Sequence, residues 1–136
     1  MLDRWPLTLD AAACGNNTLV PGYLGPDHPD PARRDALAFE HWADLAGGGV
    51  VWLNPPYTPT ATLARFLGRA VATARVGAPV VGLLPASTGA RWWWEFVIEV
   101  GADVEFLRGR LSFHGPHSRP GGASAPWASA LVLWSV

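Results

Sequence analysis

Asn54, Pro55, Pro56 and Tyr57 follow one another directly after the apolar run Val50-Val51-Trp52-Leu53. A planar amide, two residues of ring-locked φ and an aromatic, set at the end of a buried strand, make a rigid receptor for an amino group on a flat ring. Such an amine is a poor nucleophile because its lone pair is delocalised into the ring. Acceptors aimed at its two hydrogens pull the nitrogen toward tetrahedral geometry and return electron density to it. The side-chain oxygen of Asn54 and the main-chain carbonyl of Pro55 are the acceptors this sequence offers. Each proline also biases the residue before it away from helix, which holds the acceptors in place before a substrate arrives. Tyr57 adds a face on which a base can stack. The chemistry these types suit, in this order, is methyl transfer to a nucleobase nitrogen, with no metal required. An Asn-Pro-Pro stretch beside an aromatic is also an ordinary turn. The strand before it and the helix-like segment after it favour a site at the strand ends of an open α/β sheet.

The elements that must position this tetrapeptide can be read from apolar spacing. Leu7-Thr8-Leu9 reads as a short strand ending at Asp10, and Ala11 to Asn17 supplies small residues for close backbone approach to a ligand. Residues 21–34 are dense in Pro, Gly and Asp and predict an irregular connection. Asp35-Ala36-Leu37 opens a short segment through Trp42, and Gly47-Gly48-Gly49 is a turn feeding the strand Val50–Leu53. Over residues 60–74, Leu63, Phe66, Leu67, Ala70, Val71 and Ala74 have the spacing of an amphipathic helix that packs on a sheet. Residues 80–84 form a second apolar run between Pro79 and Pro85, as a buried parallel strand requires. Ser87 or Thr88 is expected to cap a helix over residues 90–100 that Gly101 ends. Residues 104–113 and 128–134 read as strands. The stretch GPHSRPGGASAPW between them is too short for a crossover helix, so these two strands are expected to be antiparallel neighbours.

Composition narrows the class. With 136 residues, 49% of them hydrophobic, the chain suits one compact α/β domain over residues 1–136. A single cysteine, Cys14, rules out an internal disulfide and a cysteine zinc cluster, and fits a reducing compartment. No run approaches the roughly 18 apolar residues of a membrane span, and the opening MLDRWPLTLD lacks a signal-peptide pattern. The expectation is a cytoplasmic protein with no membrane contact. A net charge of -1, with arginine supplying all ten basic residues, predicts weak or partner-assisted contact with nucleic acid. Trp92, Trp93 and Trp94 could line a base-binding surface, but consecutive helix positions point in different directions, so one or two belong in the core. Arg108 and Arg110 share one strand face, suited to phosphates or to plain solvation. His114 and His117 lack the neighbours of a metal site.

Several blocks in one order carry a resemblance: LDAAACGNN, RDALAFEHW, VVWLNPPY, VVGLLPAST followed by RWWWEF, FLRGRLSF and APWASALVLW. Over residues 7–134 the chain resembles the phage-type DNA N6-adenine methyltransferases, a compact branch of the S-adenosylmethionine-dependent enzymes. The resemblance implies a Rossmann-like α/β fold, mostly parallel with an antiparallel C-terminal hairpin. It implies S-adenosyl-L-methionine as cofactor, duplex DNA with a flipped-out adenine as partner, and a phage or prophage gene acting in bacterial cytoplasm. Matched by position, Asp10, Ala11, Ala13 and Asn17 look like cofactor-pocket residues, and Asp35 and Leu37 lie in the Asp-x-Leu segment near the cofactor adenine. Asn54, Pro55, Pro56 and Tyr57 match the catalytic motif, with Tyr57, Arg108 and Arg110 on the substrate side.

Two departures stand out. No Gly-x-Gly loop follows the first strand, and forty-four positions separate Asp10 from Asn54, so the N-terminal half looks abbreviated: either Ala11 to Gly15 replaces the glycine loop, or the cofactor site is incomplete and binds weakly. No insertion is long enough for a target-recognition domain, which leaves that task to residues 21–34 and 114–127 or to another subunit, in a homo-oligomer or with a partner. The same tetrapeptide serves methyl transfer to the cytosine N4 amine and to the glutamine side-chain amide. A non-catalytic binding module with a degraded cofactor site is the alternative of a different class.

Overall fold

The computed structural model describes residues 2–108 and 128–135. Five strands, β1 (Leu7–Asp10), β2 (Val50–Leu53), β3 (Val80–Pro85), β4 (Asp103–Phe106) and β5 (Ser129–Trp134), form one sheet in the order β1-β2-β3-β5-β4. The β1–β2 and β2–β3 pairs are parallel, and β5 lies antiparallel between β3 and β4. The last two strands are thus the antiparallel neighbours expected from their short connection. The longest register is Val80↔Trp134 through Pro85↔Ser129, and it places β5 inside the sheet, between β3 and the edge strand β4.

Continuous apolar runs form β2 and β3 because both faces of these strands are covered; every residue of each is buried. On one face Val51, Leu53, Val80, Leu84, Val132 and Trp134 join the main core. On the other, Val50, Trp52, Val81, Leu83 and Leu131 make a smaller cluster with Trp5, Leu7 and Leu133 against it.

Two helices bracket β2: the single turn α1 (Ala43–Ala46) and the long α2 (Thr60–Arg75). The α2 stripe Leu63, Phe66, Leu67, Ala70, Val71 and Ala74 is buried, as its spacing demands. Each fully buried Leu or Phe contributes about 1.5–3 kcal/mol. Gly77, at φ 103, turns the chain away after α2 in a conformation that L side chains avoid. Polar atoms on the same helix fasten the segment before β2. Arg69 donates to the carbonyls of Phe39 and Leu37 at 2.7 and 3.1 Å, and Thr73 Oγ1 accepts the Trp42 N–H at 2.9 Å.

Three expectations change in detail. The helix over 90–100 begins at Arg91, and neither Ser87 nor Thr88 caps it: Ala90 is the N-cap, without a side-chain bond. One turn, α3 (Arg91–Trp93), passes into π geometry over Trp94–Ile98, where Glu99 N–H reaches the Trp94 carbonyl at 2.8 Å. Bulky indoles attend this widened turn: Trp94 Nε1 donates to Thr88 O, and Trp134 Nε1 to Phe96 O. Strand β4 stops at Phe106, so Arg108 stands beyond it, while Arg110, His114 and His117 lie outside the described residues. Residues 21–34 are also more ordered in their contacts than their composition suggests. Asp10 N–H donates to Gly22 O and Leu24 N–H to Asp10 O, both at 2.9 Å, which pairs this segment with the outer edge of β1.

Candidate active site

Strands β1, β2 and β3 run parallel, with Asp10 beside Trp52 and Leu53 beside Gly82, so β1 and β2 stop near one level and β3 runs on to Pro85. Asn54 is the first residue past β2. Pro55 behind it is buried, Pro56 is exposed, and Asn54 and Tyr57 are half-buried, so the bend is closed on the core side and open at its tip. Tyr57 folds back onto the sheet: its Oη lies 2.9 Å from Asn54 Oδ1 and 2.7 Å from the Leu83 carbonyl oxygen of β3. Its ring packs against the main core. Burial raises the phenol's pKa, which keeps it a neutral donor throughout the physiological range. The four residues read from sequence as a receptor for a conjugated amine therefore form one braced unit at the carboxyl edge of the sheet.

Asp10 is 3% exposed. Its Oδ1 lies 3.4 Å from the Ala12 N–H and its Oδ2 3.1 Å from the Leu19 N–H. Burial pushes its carboxyl up to about 6 against the lowering effect of those hydrogen bonds and of the Thr18 hydroxyl. Ala11 and Ala13 are buried, with N–H groups donating to Trp52 O and Leu24 O at 3.0 Å. Asn17 Oδ1 accepts from Cys14 N–H at 2.7 Å, and Asp35 Oδ1 accepts from Leu37 N–H at 3.0 Å as the cap of a short 3-10 turn. Each polar side chain expected in the cofactor pocket is thus engaged with its own local backbone.

All three segments border the main core. Ala12, Leu37 and Tyr57 all rest, partly buried, on one apolar cluster that includes Ala11. Small residues at 11–13 and the flank of Leu37 leave apolar ground for a flat ring. The exposed Asp35 carboxylate keeps Oδ2 beyond its capping bond, placed for amine or hydroxyl donors. These residue types are the ones an adenosyl group would need: apolar surface for its ring and an acceptor for its donors.

Three contributors were not read from the sequence. The Leu83 carbonyl that anchors Tyr57 is main chain and leaves no residue-type signal. The Asp27 carboxylate receives the Gly15 N–H at 2.9 and 3.2 Å, tying residues 21–34 to the loop after β1. Gly25 packs on the same loop so closely that a Cβ there would fall 1.6 Å from the Ala13 carbonyl oxygen. The glycines of the Pro-rich stretch were the available clue.

Arg108 is exposed past β4. A cavity of about 200 Å³ lies elsewhere, on the sheet face that carries Trp5, Val81, Leu131 and Leu133, with the Arg4–Glu105 ion pair at its rim. Its polar lining is Asp103, Glu105 and Arg4, ionisable side chains without the rigid neutral amide of Asn54, so the candidate site is chosen by chemistry rather than by concavity. Among the described residues no helix is long and apolar enough to cross a membrane.

No curated protein and no solved structure matches the chain. A protein-family model does, over residues 3–135, and takes in the loop after β1, the Asn54–Tyr57 bend and both antiparallel strands. The chain belongs to the family described as DNA N-6-adenine-methyltransferase (Dam).

Proposed function

We propose that this protein transfers a methyl group from S-adenosyl-L-methionine to the exocyclic N6 amine of adenine in DNA. The observation that carries the reading is the Asn54–Tyr57 bend, open at its tip and braced by the 2.7 Å bond from Tyr57 to Leu83, in a chain of the Dam family. A strand order of β1-β2-β3-β5-β4 suits a compact Rossmann-like methyltransferase whose N-terminal half is short.

In this reading Asp35 and Leu37 hold the adenine end of the cofactor, with residues 10–17 around the rest. The bound cofactor supplies an electrophilic methyl on a good leaving group. The extruded base lies on the Tyr57 face, and its amine hydrogens are accepted by Asn54 Oδ1 and Pro55 O. Both acceptors gain strength as positive charge develops on nitrogen, so they favour the transition state over the ground state. A nitrogen–carbon bond would form as the methyl–sulfur bond breaks, the bonding pair leaving with sulfur, and the surplus proton passes to water through the open tip at Pro56.

Incubation of unmethylated DNA with labelled methyl donor, followed by nucleoside analysis, tests this directly. Label in N6-methyladenine, lost in Asn54→Ala with cofactor affinity retained, supports it. Label in N4-methylcytosine, or in glutamine of an added peptide, would reassign the acceptor. No cofactor binding by calorimetry at millimolar ligand would leave a non-catalytic base-binding module.

A further inference from the structure

We propose that the Tyr57 hydroxyl is a positioning group: anchored on the Leu83 carbonyl, it turns the Asn54 amide so that the amide oxygen faces the substrate amine. The inference rests on the reading of Asn54 as an acceptor and adds what orients it.

The argument is a count of protons. Tyr57 Oη has oxygen neighbours at 2.7 Å (Leu83 O) and 2.9 Å (Asn54 Oδ1), both within hydrogen-bond range. A phenol carries one proton. The Leu83 carbonyl can only accept, it is the nearer of the two, and it belongs to a strand paired on both sides, so it claims that proton. An amide oxygen facing Oη would then meet lone pairs across 2.9 Å with nothing between them. A half-turn about χ2 exchanges the oxygen and nitrogen of an amide at almost no steric cost. With NH2 toward the phenol, Oη donates to Leu83, accepts from Asn54, and the amide oxygen is turned away from the tyrosine toward the open tip of the bend. In the opposite orientation the acceptor that transfer requires is blocked by the phenol. Tyr57 thus has two separable functions, a ring face for the base and a hydroxyl for the amide.

Tyr57→Phe keeps the face and removes the pin. Its kcat is expected to fall about 10- to 100-fold, with KM for DNA and for cofactor within about threefold of wild type. A 2-aminopurine at the target position should show base extrusion as in wild type. Asn54→Asp separates positioning from mere structural support, because both ends of a carboxylate accept and no orientation has to be chosen. On that background the Tyr57→Phe penalty in kcat should shrink to within about threefold; a structural hydroxyl would cost the same on both. The unmodified protein gives a reading independent of turnover: with selectively labelled asparagine, one Asn54 side-chain amide proton should be protected from solvent exchange, and lose that protection in Tyr57→Phe.

A Tyr57→Phe enzyme with wild-type kcat, or an Asn54 amide whose two protons both exchange at solvent rates, would overturn the proposal while leaving methyl transfer intact. Absence of N6-methyladenine with the wild-type protein would instead remove the functional reading on which it rests.

Discussion

Asp10 Oδ2 accepts the Leu19 N–H at 3.1 Å, so the carboxylate that ends β1 also fixes the far side of the loop it begins. The cost of burying that charge sets a pH dependence. The Asp10 carboxyl titrates near 6 in the folded protein and near 3.8 in a model peptide, so the folded state binds the proton more tightly. Its contribution to stability is complete below the unfolded value and is lost as pH rises through the folded one, a change of about 3 kcal/mol. Urea unfolding of wild type and Asp10→Asn across this range isolates the effect. The stability of wild type relative to the variant should decline with rising pH between those two values and then level off. A difference independent of pH would show that the carboxylate is not desolvated.

The sequence revealed the parts of this structure that rest on side-chain pattern. Apolar runs gave β2 and β3, and a 3.6-residue stripe gave α2, because burial there is decided by residue type. The order of residues at 54–57 marked the candidate site through residue type as well. What stayed hidden rests on backbone. The Leu83 carbonyl, the pairing of residues 22–24 with β1, and the π turn at Trp94–Ile98 are made by main-chain groups that every residue carries. Asp10, Asn17 and Asp35 were legible as polar residues in a site region, but whether each faced a ligand or its own loop depended on loop geometry that spacing does not encode.

Thr73 is fully buried and linked at both ends, donating to Arg69 O at 2.7 Å and accepting the Trp42 N–H at 2.9 Å. Thr73→Val keeps the shape but leaves the Trp42 N–H without its acceptor in the core, at a cost of about 1–3 kcal/mol. Thr73→Ser keeps the hydroxyl and should lose less than about half of that. Chemical denaturation of both variants checks the order; a loss in Thr73→Ser as large as that in Thr73→Val would show that the methyl's packing matters as much as the hydroxyl's bonds.

Gly25→Ala tests the contact between the two loops at the end of β1. A Cβ at that position falls 1.6 Å from Ala13 O, a backbone atom whose own N–H is committed to Leu24 O. The two segments must separate, at a cost of about 1–3 kcal/mol. Because Ala13 stands in the proposed cofactor pocket, cofactor affinity should fall further than the loss of global stability accounts for. Equal affinity in the variant, measured by calorimetry, would place the cofactor away from this loop.

Trp94 is the member of the tryptophan triplet that the core does not claim. Trp92 and Trp93 are 7% and 1% exposed, Trp94 49%. Its ring is held by the Nε1 bond to Thr88 O at 2.9 Å, in the connection that leaves the carboxyl end of β3, beside the strand that presents Asn54. The Arg91 side chain, 93% exposed, stands three residues before it at the start of α3 and makes a long 3.6 Å contact to Glu95. A fixed aromatic face next to a solvent-facing cation suits a base unstacked from the duplex and the phosphate beside it. Trp94→Ala should weaken binding to duplex carrying the target about 10- to 100-fold, whereas Trp94→Phe, which keeps a stacking face, should stay within about fivefold. Cofactor binding should be unchanged in both, because the ring is held on the connection that follows β3, whereas residues 10–17 follow the edge strand β1. Wild-type DNA affinity in Trp94→Ala would remove the ring from the DNA interface and shift base recognition to Tyr57 alone.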